Sequence, residues 1–274
     1  MVGGFTVKFP RYLLPLMPFF CLFAAVFADD LPRRIAKTGK NACSTVSQWL
    51  IYAGLAGILG YSAAYAIAFA AIYGRDDPRA QASRAIYEHV PAGSLILTEL
   101  WEFTSLVPLD HGNSREYRVD SLDLYPPDSA EKIERIARQL SEADVILLAT
   151  KRLYGSILRV PDRYPLTVNY YRLLFDGALG FAPAPPFTTY PSLLGWQWND
   201  DFADESLTVY EHPKTILFQK VRDIPADELA ALILNAPVLD NADALLRRLI
   251  AFPAQEADEA ALLRHALQPR RAAP

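Results

Sequence analysis

The sequence contains very little cysteine, and both cysteines lie near its N-terminus. Of the 274 residues only Cys21 and Cys43 are cysteines, so residues 75–274 contain none. This excludes a disulfide framework and a cysteine-based zinc site from that part of the chain. The chain also has no excess of positive charge, because its formal net charge is −4. Binding to a phosphate backbone needs a basic surface, so we expect no nucleic acid partner.

The sequence also lacks the common catalytic motifs. It contains neither the glycine fingerprints of dinucleotide and phosphate loops nor Gly-x-Ser-x-Gly or His-Glu-x-x-His. The four histidines are far apart and show no metal-ligand spacing, and they are His89, His111, His212 and His265. We therefore predict no catalytic residue, no metal site and no cofactor within this sequence.

Two long uncharged apolar runs are present, one from Tyr12 to Ala28 and one from Thr45 to Tyr73. A helix needs about 20 apolar residues to cross a bilayer, and about 17 is the lower limit. The second run exceeds this length and the first is close to the limit. We therefore predict a transmembrane hairpin over residues 1–74, with spans at about 12–28 and 47–73.

The first run has a second interpretation, which is a cleaved signal peptide. Lys8 and Arg11 supply a basic leader, and the small residue Ala28 fits a cleavage site. The hairpin is favoured by the four basic residues between positions 33 and 40, because basic short loops tend to stay in the cytoplasm. In that topology, the chain beyond the second span is extracytoplasmic.

Residues 75–222 show the pattern of a small α/β domain. Apolar residues at helical spacing over 78–90 and 130–140 are each followed by a short apolar run, at 95–98 and 145–149. Short runs that are apolar throughout are typical of strands buried on both faces, so we predict a mainly parallel sheet. Asp128 and Glu131 have the spacing of a capping box for the second helix.

The rest of the chain supplies three further predictions. A third helix should run from Pro165 to just before Gly177. Residues 207–210 and 215–219 resemble two strands around a tight turn. Residues 223–274 are expected to form a helical tail with a disordered end.

Polar side chains follow both predicted buried strands. Glu99, Trp101 and Glu102 come after the first strand, where an acid pair beside tryptophan would suit a sugar. Ligands of open α/β sheets collect at the carboxyl ends of strands, so these residues are candidates for contacts with a sugar. The alternative is a strand end with solvated carboxylates and a packing tryptophan.

Lys151, Arg152 and Tyr154 follow the second strand. The two cations beside tyrosine could bind a pyrophosphate or lipid headgroups. The alternatives are a turn that needs Gly155 for its backbone, and a tyrosine that belongs to the core.

Several segments resemble a known enzyme class. KFPRYLLPLMPF, residues 8–19, resembles the Arg-Tyr-Leu-Leu-Pro-x-x-Pro segment that begins a late membrane helix in bacterial polytopic glycosyltransferases of the GT-C class. Residues 86–103, 123–181 and 204–220 resemble the extracytoplasmic C-terminal domain of a subset of them. The resemblance implies a multi-pass protein of the bacterial plasma membrane that uses a polyprenyl-phosphate sugar donor and a glycan or protein acceptor.

The resemblance also implies what is missing. In such enzymes the acid that acts as base, or binds a metal, lies in the first extracytoplasmic loop, before the segment that resembles residues 8–19. The paired acids Asp29 and Asp30 are a poor substitute, because the hairpin places them on the cytoplasmic side. We therefore expect a fragment or subunit that is inactive alone, with the missing N-terminal spans as a partner and a divalent metal as an option in the complete enzyme.

By the same resemblance, Arg11 and Tyr12 could contact the carrier phosphate, whereas plain anchoring at the membrane interface is their alternative role. A different class of function also remains open for the whole chain. It is a non-catalytic, membrane-anchored module that binds a partner or a glycan outside the cell.

Overall fold

The chain is divided into two compact units. The computed structural model describes residues 10–38, 43–101, 106–110, 112–237, 239 and 241–252. Met1–Gly74 and Pro191–Trp198 form one unit, called here the helical unit. Arg75–Tyr190 and Asn199–Pro274 form the other, called here the α/β unit.

The helices and strands follow one another along the chain as α1 Met17–Thr38, α2 Cys43–Ala70, α3 Pro78–His89, β1 Leu95–Glu99, β2 Arg118–Leu122, α4 Ala130–Glu142, β3 Val145–Leu148, α5 Arg152–Ile157, α6 Pro165–Phe175, β4 Phe181–Pro183, β5 Ser192–Leu193, β6 Trp196–Gln197, α7 Glu205–Glu211, β7 Ile216–Lys220, α8 Ala226–Leu234 and α9 Ala242–Ile250. Short 3-10 helices precede α1 at Pro10–Leu16 and follow α2 at Ala71–Gly74.

The helical unit contains the two predicted apolar helices. By length and composition α1 and α2 could each cross a membrane, although a signal sequence near the N-terminus would meet the same criterion. Helix α1 is longer than predicted, because it continues through the basic segment to Thr38. Within it Arg33 forms an ion pair with Asp29 at 2.8 Å, and Arg34 pairs with Asp30 one residue further along. These pairs one turn apart stabilise a helix, so part of the expected loop is helical.

The central sheet of the α/β unit is mixed, with strand order β2-β1-β3-β7-β4. Strand β1 runs parallel to β2 and β3, whereas β7 runs antiparallel to both β3 and β4. The prediction of a mainly parallel sheet is therefore wrong. The reason lies where β3 ends, because the Thr215 hydroxyl donates a hydrogen bond to the main-chain oxygen of Ala149 at 2.9 Å. Strand β7 thus begins beside the end of β3 and must run in the opposite direction.

Helices cover both faces of this sheet, and the side chains of β3 show how. Val145 and Leu147 belong to a core cluster with α3, whereas Ile146 and Leu148 belong to a larger cluster with α4, α6, α8 and α9. All four side chains are buried, at no more than 1% exposure. A strand between two helical layers needs apolar residues at every position, which explains why β1 and β3 are recognisable in the sequence.

Two local predictions and one of the alternatives are corrected by the structure. Residues 207–210 are not a strand, because Asp204 accepts a hydrogen bond from the Ser206 amide at 2.9 Å and begins helix α7. Residues 152–157 form helix α5 rather than a turn. Ser129, and not Asp128, caps α4 by accepting from the Lys132 amide at 3.1 Å, so the predicted capping box is absent.

Candidate functional site

The carboxyl ends of β1 and β3 meet at one edge of the sheet. The two strands are parallel neighbours, with Ile96 opposite Val145 and Thr98 opposite Leu147. Chain segments that follow neighbouring parallel strands emerge on the same side, where open α/β sheets bind ligands. The structure therefore brings the segment after Glu99 beside the segment that begins at Thr150.

Arg152 connects these two segments. Its guanidinium group donates a hydrogen bond to the main-chain oxygen of Trp101 at 3.1 Å, and it lies 5.0 Å from the centre of the Tyr210 ring. Trp101 is 61% exposed and Tyr210 is 44% exposed. Trp101, Arg152 and Tyr210 are called the edge cluster below. A cation that lies over one exposed ring and is bonded to the main chain of a second exposed aromatic residue can bind a polar group beside an apolar face.

Trp101 has an unusual backbone conformation. Its φ angle is +79°, which places a bulky residue in the left-handed region. A side chain with a Cβ atom is disfavoured there by roughly 1–2 kcal/mol. Strained residues of this kind concentrate at functional sites, where the surrounding structure holds them in place. The exposed ring of Trp101 is therefore a stronger candidate for ligand contact than its sequence position alone indicates.

Glu99 lies at the end of β1 but faces the interior. It is 1% exposed, and the hydroxyl of Tyr171 donates a hydrogen bond to its Oε1 at 2.6 Å. Glu99 is therefore not a solvated carboxylate. A buried carboxylate held by a tyrosine can orient its neighbours and shape the local electric field, but it does not reach a ligand at the surface.

Sequence reasoning missed Tyr125, which lies close to these groups. Burial of its phenol raises the Tyr125 pKa, although a hydrogen bond with Ser156 acts in the opposite direction. The charges of Glu205, Arg152 and Glu99 are near enough to affect the same pKa. Tyr125 follows an edge strand and has no motif around it, so only the folded chain reveals its proximity.

Lys151 and Tyr154, predicted as ligand contacts, turn away from the edge cluster. The ammonium of Lys151 donates hydrogen bonds to the main-chain oxygens of Asp201 and Ala203 at 2.5 and 2.8 Å. Burial lowers the Lys151 pKa, because desolvation disfavours the charged form. Tyr154 is 1% exposed, and its ring centre lies 6.0 Å from that of Tyr171 in the core. Lys151 therefore holds a loop in place and Tyr154 packs in the interior.

The other predicted contacts lie elsewhere. Arg11 and Tyr12 belong to the 3-10 helix Pro10–Leu16 of the helical unit. Glu102 lies outside the described residues. The edge cluster therefore contains Trp101 and Arg152 from the predicted set and gains Tyr210, which was predicted to lie in a strand.

A buried charge network supports the loop that Lys151 contacts. Asp201 pairs with the ammonium of Lys214 and accepts a hydrogen bond from the Tyr190 hydroxyl at 2.8 Å. Burial raises the Tyr190 pKa, and the neighbouring Asp201 carboxylate raises it further. Lys214 also donates to the main-chain oxygens of Ile250 and Phe252 at 2.9 and 3.1 Å. These groups satisfy one another, so the network fixes structure and presents no open binding position.

A groove lies beside the residues that follow α5. A cavity of about 690 Å³ contains two arginines, Arg159 and Arg247, together with the exposed ring of Phe202. Arg159 and Phe202 also line a smaller cavity with Ser156 and Glu205. Arginine side chains beside an aromatic ring can bind an anionic group.

Among the residues that the structure describes, no three His, Cys, Asp or Glu side chains come together as a metal site would require. The side chains of the edge cluster can form hydrogen bonds, cation–π contacts and stacking contacts. No family model, no curated protein and no solved structure matches the chain.

Proposed function

We propose that the chain is part of a glycosyltransferase of the bacterial plasma membrane, and that the edge cluster binds the glycan acceptor outside the cell. The sugar would come from a polyprenyl-phosphate donor. The observation that carries the proposal is the position of Arg152 at the carboxyl edge of the sheet, where its guanidinium donates to the main-chain oxygen of the exposed Trp101 and lies over the exposed ring of Tyr210.

The composition of the edge cluster fits a sugar. A pyranose ring has an apolar face of C–H groups and a rim of hydroxyls. Exposed aromatic side chains supply a flat apolar surface, and a guanidinium such as that of Arg152 is a hydrogen-bond donor suited to hydroxyl or carboxylate oxygens. One N–H group of this guanidinium donates to the main-chain oxygen of Trp101, which fixes the orientation of the group at the sheet edge.

The helical unit supports the membrane part of the proposal. Helices α1 and α2 are long and apolar enough to cross a bilayer. We propose that both do so and that the α/β unit is extracytoplasmic. In this arrangement the reaction takes place at the outer surface of the plasma membrane. Groups outside the edge cluster would activate the acceptor hydroxyl and stabilise the departing carrier phosphate.

One observation favours a second function, which is glycan or partner binding without catalysis. The acid at the end of β1, Glu99, is buried and held by Tyr171, so it is not placed to accept a proton from a bound hydroxyl. A membrane-anchored binding module would need only the edge cluster and the two apolar helices.

A genetic experiment separates these functions. The gene is deleted, and the sugar composition of the cell-surface glycans is compared with that of the parent strain. For the proposed enzyme we expect one sugar to be lost from a surface glycan and its carrier-linked donor to accumulate. Complementation with Arg152→Gln should restore much less of that sugar than Arg138→Gln, a matched change of an exposed arginine on α4. An unchanged glycan composition would reject the enzyme and favour the binding module.

A further inference from the structure

A short hairpin of the helical unit presents apolar side chains to the outside. The segment Pro191–Trp198, called here the tryptophan hairpin, contains the antiparallel strands β5 and β6. Between them Leu194 and Gly195 have φ angles of +52° and +85°, which is typical of the tight turns that join two strands. At this turn Leu194 is 93% exposed, and next to it Trp196 is 77% exposed.

The tryptophan hairpin is attached to helix α2. The ring centre of Trp198 lies 6.4 Å from that of Tyr61 and 6.1 Å from that of Tyr65, and both pairs are edge-on. Strand β5 packs against the same helix. A hydrogen bond of 2.9 Å from the Trp198 amide to the oxygen of Pro191 closes the base of the hairpin. The hairpin base is thus fixed to one level along α2.

That level can be calculated from the length of the helix. Helix α2 has 28 uncharged residues, which at 1.5 Å per residue give about 42 Å, close to the ~40–45 Å of a whole bilayer with its headgroups. The hydrocarbon core of about 30 Å would then end roughly 6 Å from each helix end. Tyr65 lies about 8 Å and Tyr61 about 14 Å from the C-terminal residue Ala70. The hairpin base therefore lies close to the boundary between headgroups and hydrocarbon.

The chemistry of the hairpin fits this boundary. Residues 191–198 contain no charged side chain but do contain two leucines and two tryptophans. Tryptophan is enriched at membrane interfaces, where its ring is in contact with hydrocarbon and its N–H is in contact with headgroups. Neighbouring side chains of α2 are exposed as well, since Ile58 is 65% and Leu59 is 70% exposed. Helix α2 therefore carries exposed apolar side chains within one turn of Tyr61, which holds the hairpin.

We propose that the tryptophan hairpin inserts Leu194 and Trp196 into the headgroup–hydrocarbon boundary of the bilayer, in the leaflet that the C-terminal end of α2 reaches. The inference rests on the membrane-spanning role given to α2 under the proposed function. It gives the chain a membrane contact besides its two apolar helices. The occupant of the apolar surface is the lipid itself, and no protein partner is needed to cover it.

A fluorescence experiment tests the insertion. Cys21 and Cys43 are replaced by serine in the full chain, and Leu194→Cys or Trp196→Cys is labelled with the polarity-sensitive dye NBD. The protein is reconstituted into vesicles of equal amounts of phosphatidylcholine and phosphatidylglycerol that contain spin-labelled lipids. Leu59→Cys on α2 serves as the membrane control, and Val221→Cys, 58% exposed in the α/β unit, serves as the water control.

We expect the labels at both hairpin positions to emit at shorter wavelength than the label at Val221. We also expect lipids with a shallow spin label to quench the two hairpin labels several times more strongly than the label at Val221. If the label at Leu59 is quenched while those at 194 and 196 behave like that at 221, the hairpin insertion is wrong and the membrane span stands. If the label at Leu59 is not quenched either, both proposals fail.

Discussion

The ammonium of Lys132 lies 2.9 Å from Oδ1 of Asp128, and the two side chains are only 2% and 6% exposed. Lys132 donates further hydrogen bonds to the main-chain oxygen of Leu124 and to the hydroxyl of Thr167, both at 2.7 Å. The second carboxylate oxygen of Asp128 accepts from the amides of Leu166 and Thr167 at the start of α6. This ion pair therefore joins α4 to the start of α6.

Asp128→Asn should reduce the free energy of unfolding by about 3–5 kcal/mol, because it leaves the buried ammonium of Lys132 without its counter-charge. Chemical unfolding of the full chain in mild detergent, followed by circular dichroism, measures this loss. Glu131→Gln removes an exposed acid from α4, the helix that carries Lys132, and should change the free energy of unfolding by no more than about 0.5 kcal/mol. Equal effects of the two substitutions would contradict the role given to the ion pair.

The Asp128 carboxylate should also make the stability of the fold depend on pH. Burial would raise the Asp128 pKa, but hydrogen bonds from Thr167 and Lys132 together outweigh it, so the pKa is lowered from 3.8. A lowered carboxylate pKa stabilises the fold fully above the unfolded-state value of about 3.9, and this contribution is lost as the pH falls through the lower folded-state pKa. The stability difference between the unmodified chain and Asp128→Asn should thus stay constant from neutral pH to about pH 5 and shrink below about pH 4. A difference that grows in acid would contradict this.

Substitutions at two glycines distinguish the cost of backbone strain from the cost of a steric clash. Gly180 and Gly93 both have positive φ angles, of 81° and 89°. A Cβ atom at Gly180 would lie 2.5 Å from the main-chain oxygen of Arg222, whereas one at Gly93 would meet nothing within 4 Å. Gly93→Ala should therefore cost about 1 kcal/mol from conformation alone, and Gly180→Ala at least about 1 kcal/mol more. Chemical unfolding of the two variants measures both losses of stability. If the two losses are equal, the clash at Gly180 relaxes without cost.

Some of this fold is readable from the sequence, and the reason is local. Strand β3 is apolar at every position because both of its faces are buried, and α3 begins at a proline preceded by the capping residue Asp77. Strand β2 escaped prediction because Arg118, Val119 and Asp120 are exposed. Its strand conformation depends on pairing with β1, which is a long-range contact.

The candidate site is likewise predictable only where local sequence determines it. The rule that neighbouring parallel strands end at one edge correctly brings Arg152 beside Trp101. It cannot show that Lys151 turns inward to a loop around Asp201, because that loop is distant in the sequence. Nor could Tyr210 be expected at the edge, since its segment alternates like a strand but is capped as a helix by Asp204.

The strain at Trp101 predicts a trade-off between stability and binding. Trp101→Gly removes both the ring and the disfavoured φ, so it should raise the free energy of unfolding by about 1 kcal/mol while weakening ligand binding. Trp101→Ala removes the ring but keeps the strain, so it should weaken binding without that gain. Unfolding curves of the two variants make the comparison. If glycine is no more stable than alanine at this position, the backbone of Trp101 is not strained.

The most direct test of the account is glycan binding by the edge cluster. The full chain in lipid nanodiscs is titrated with oligosaccharides released from the cell surface of the producing organism, and tryptophan fluorescence is recorded. We predict saturable binding that weakens at least about tenfold in Arg152→Gln, the loss expected when a ligand hydrogen bond worth about 1.4 kcal/mol is removed. Arg138→Gln should bind as the unmodified chain does. Failure of every oligosaccharide to bind, or equal binding by Arg152→Gln and the unmodified chain, would contradict the proposal that this edge of the sheet recognises a sugar.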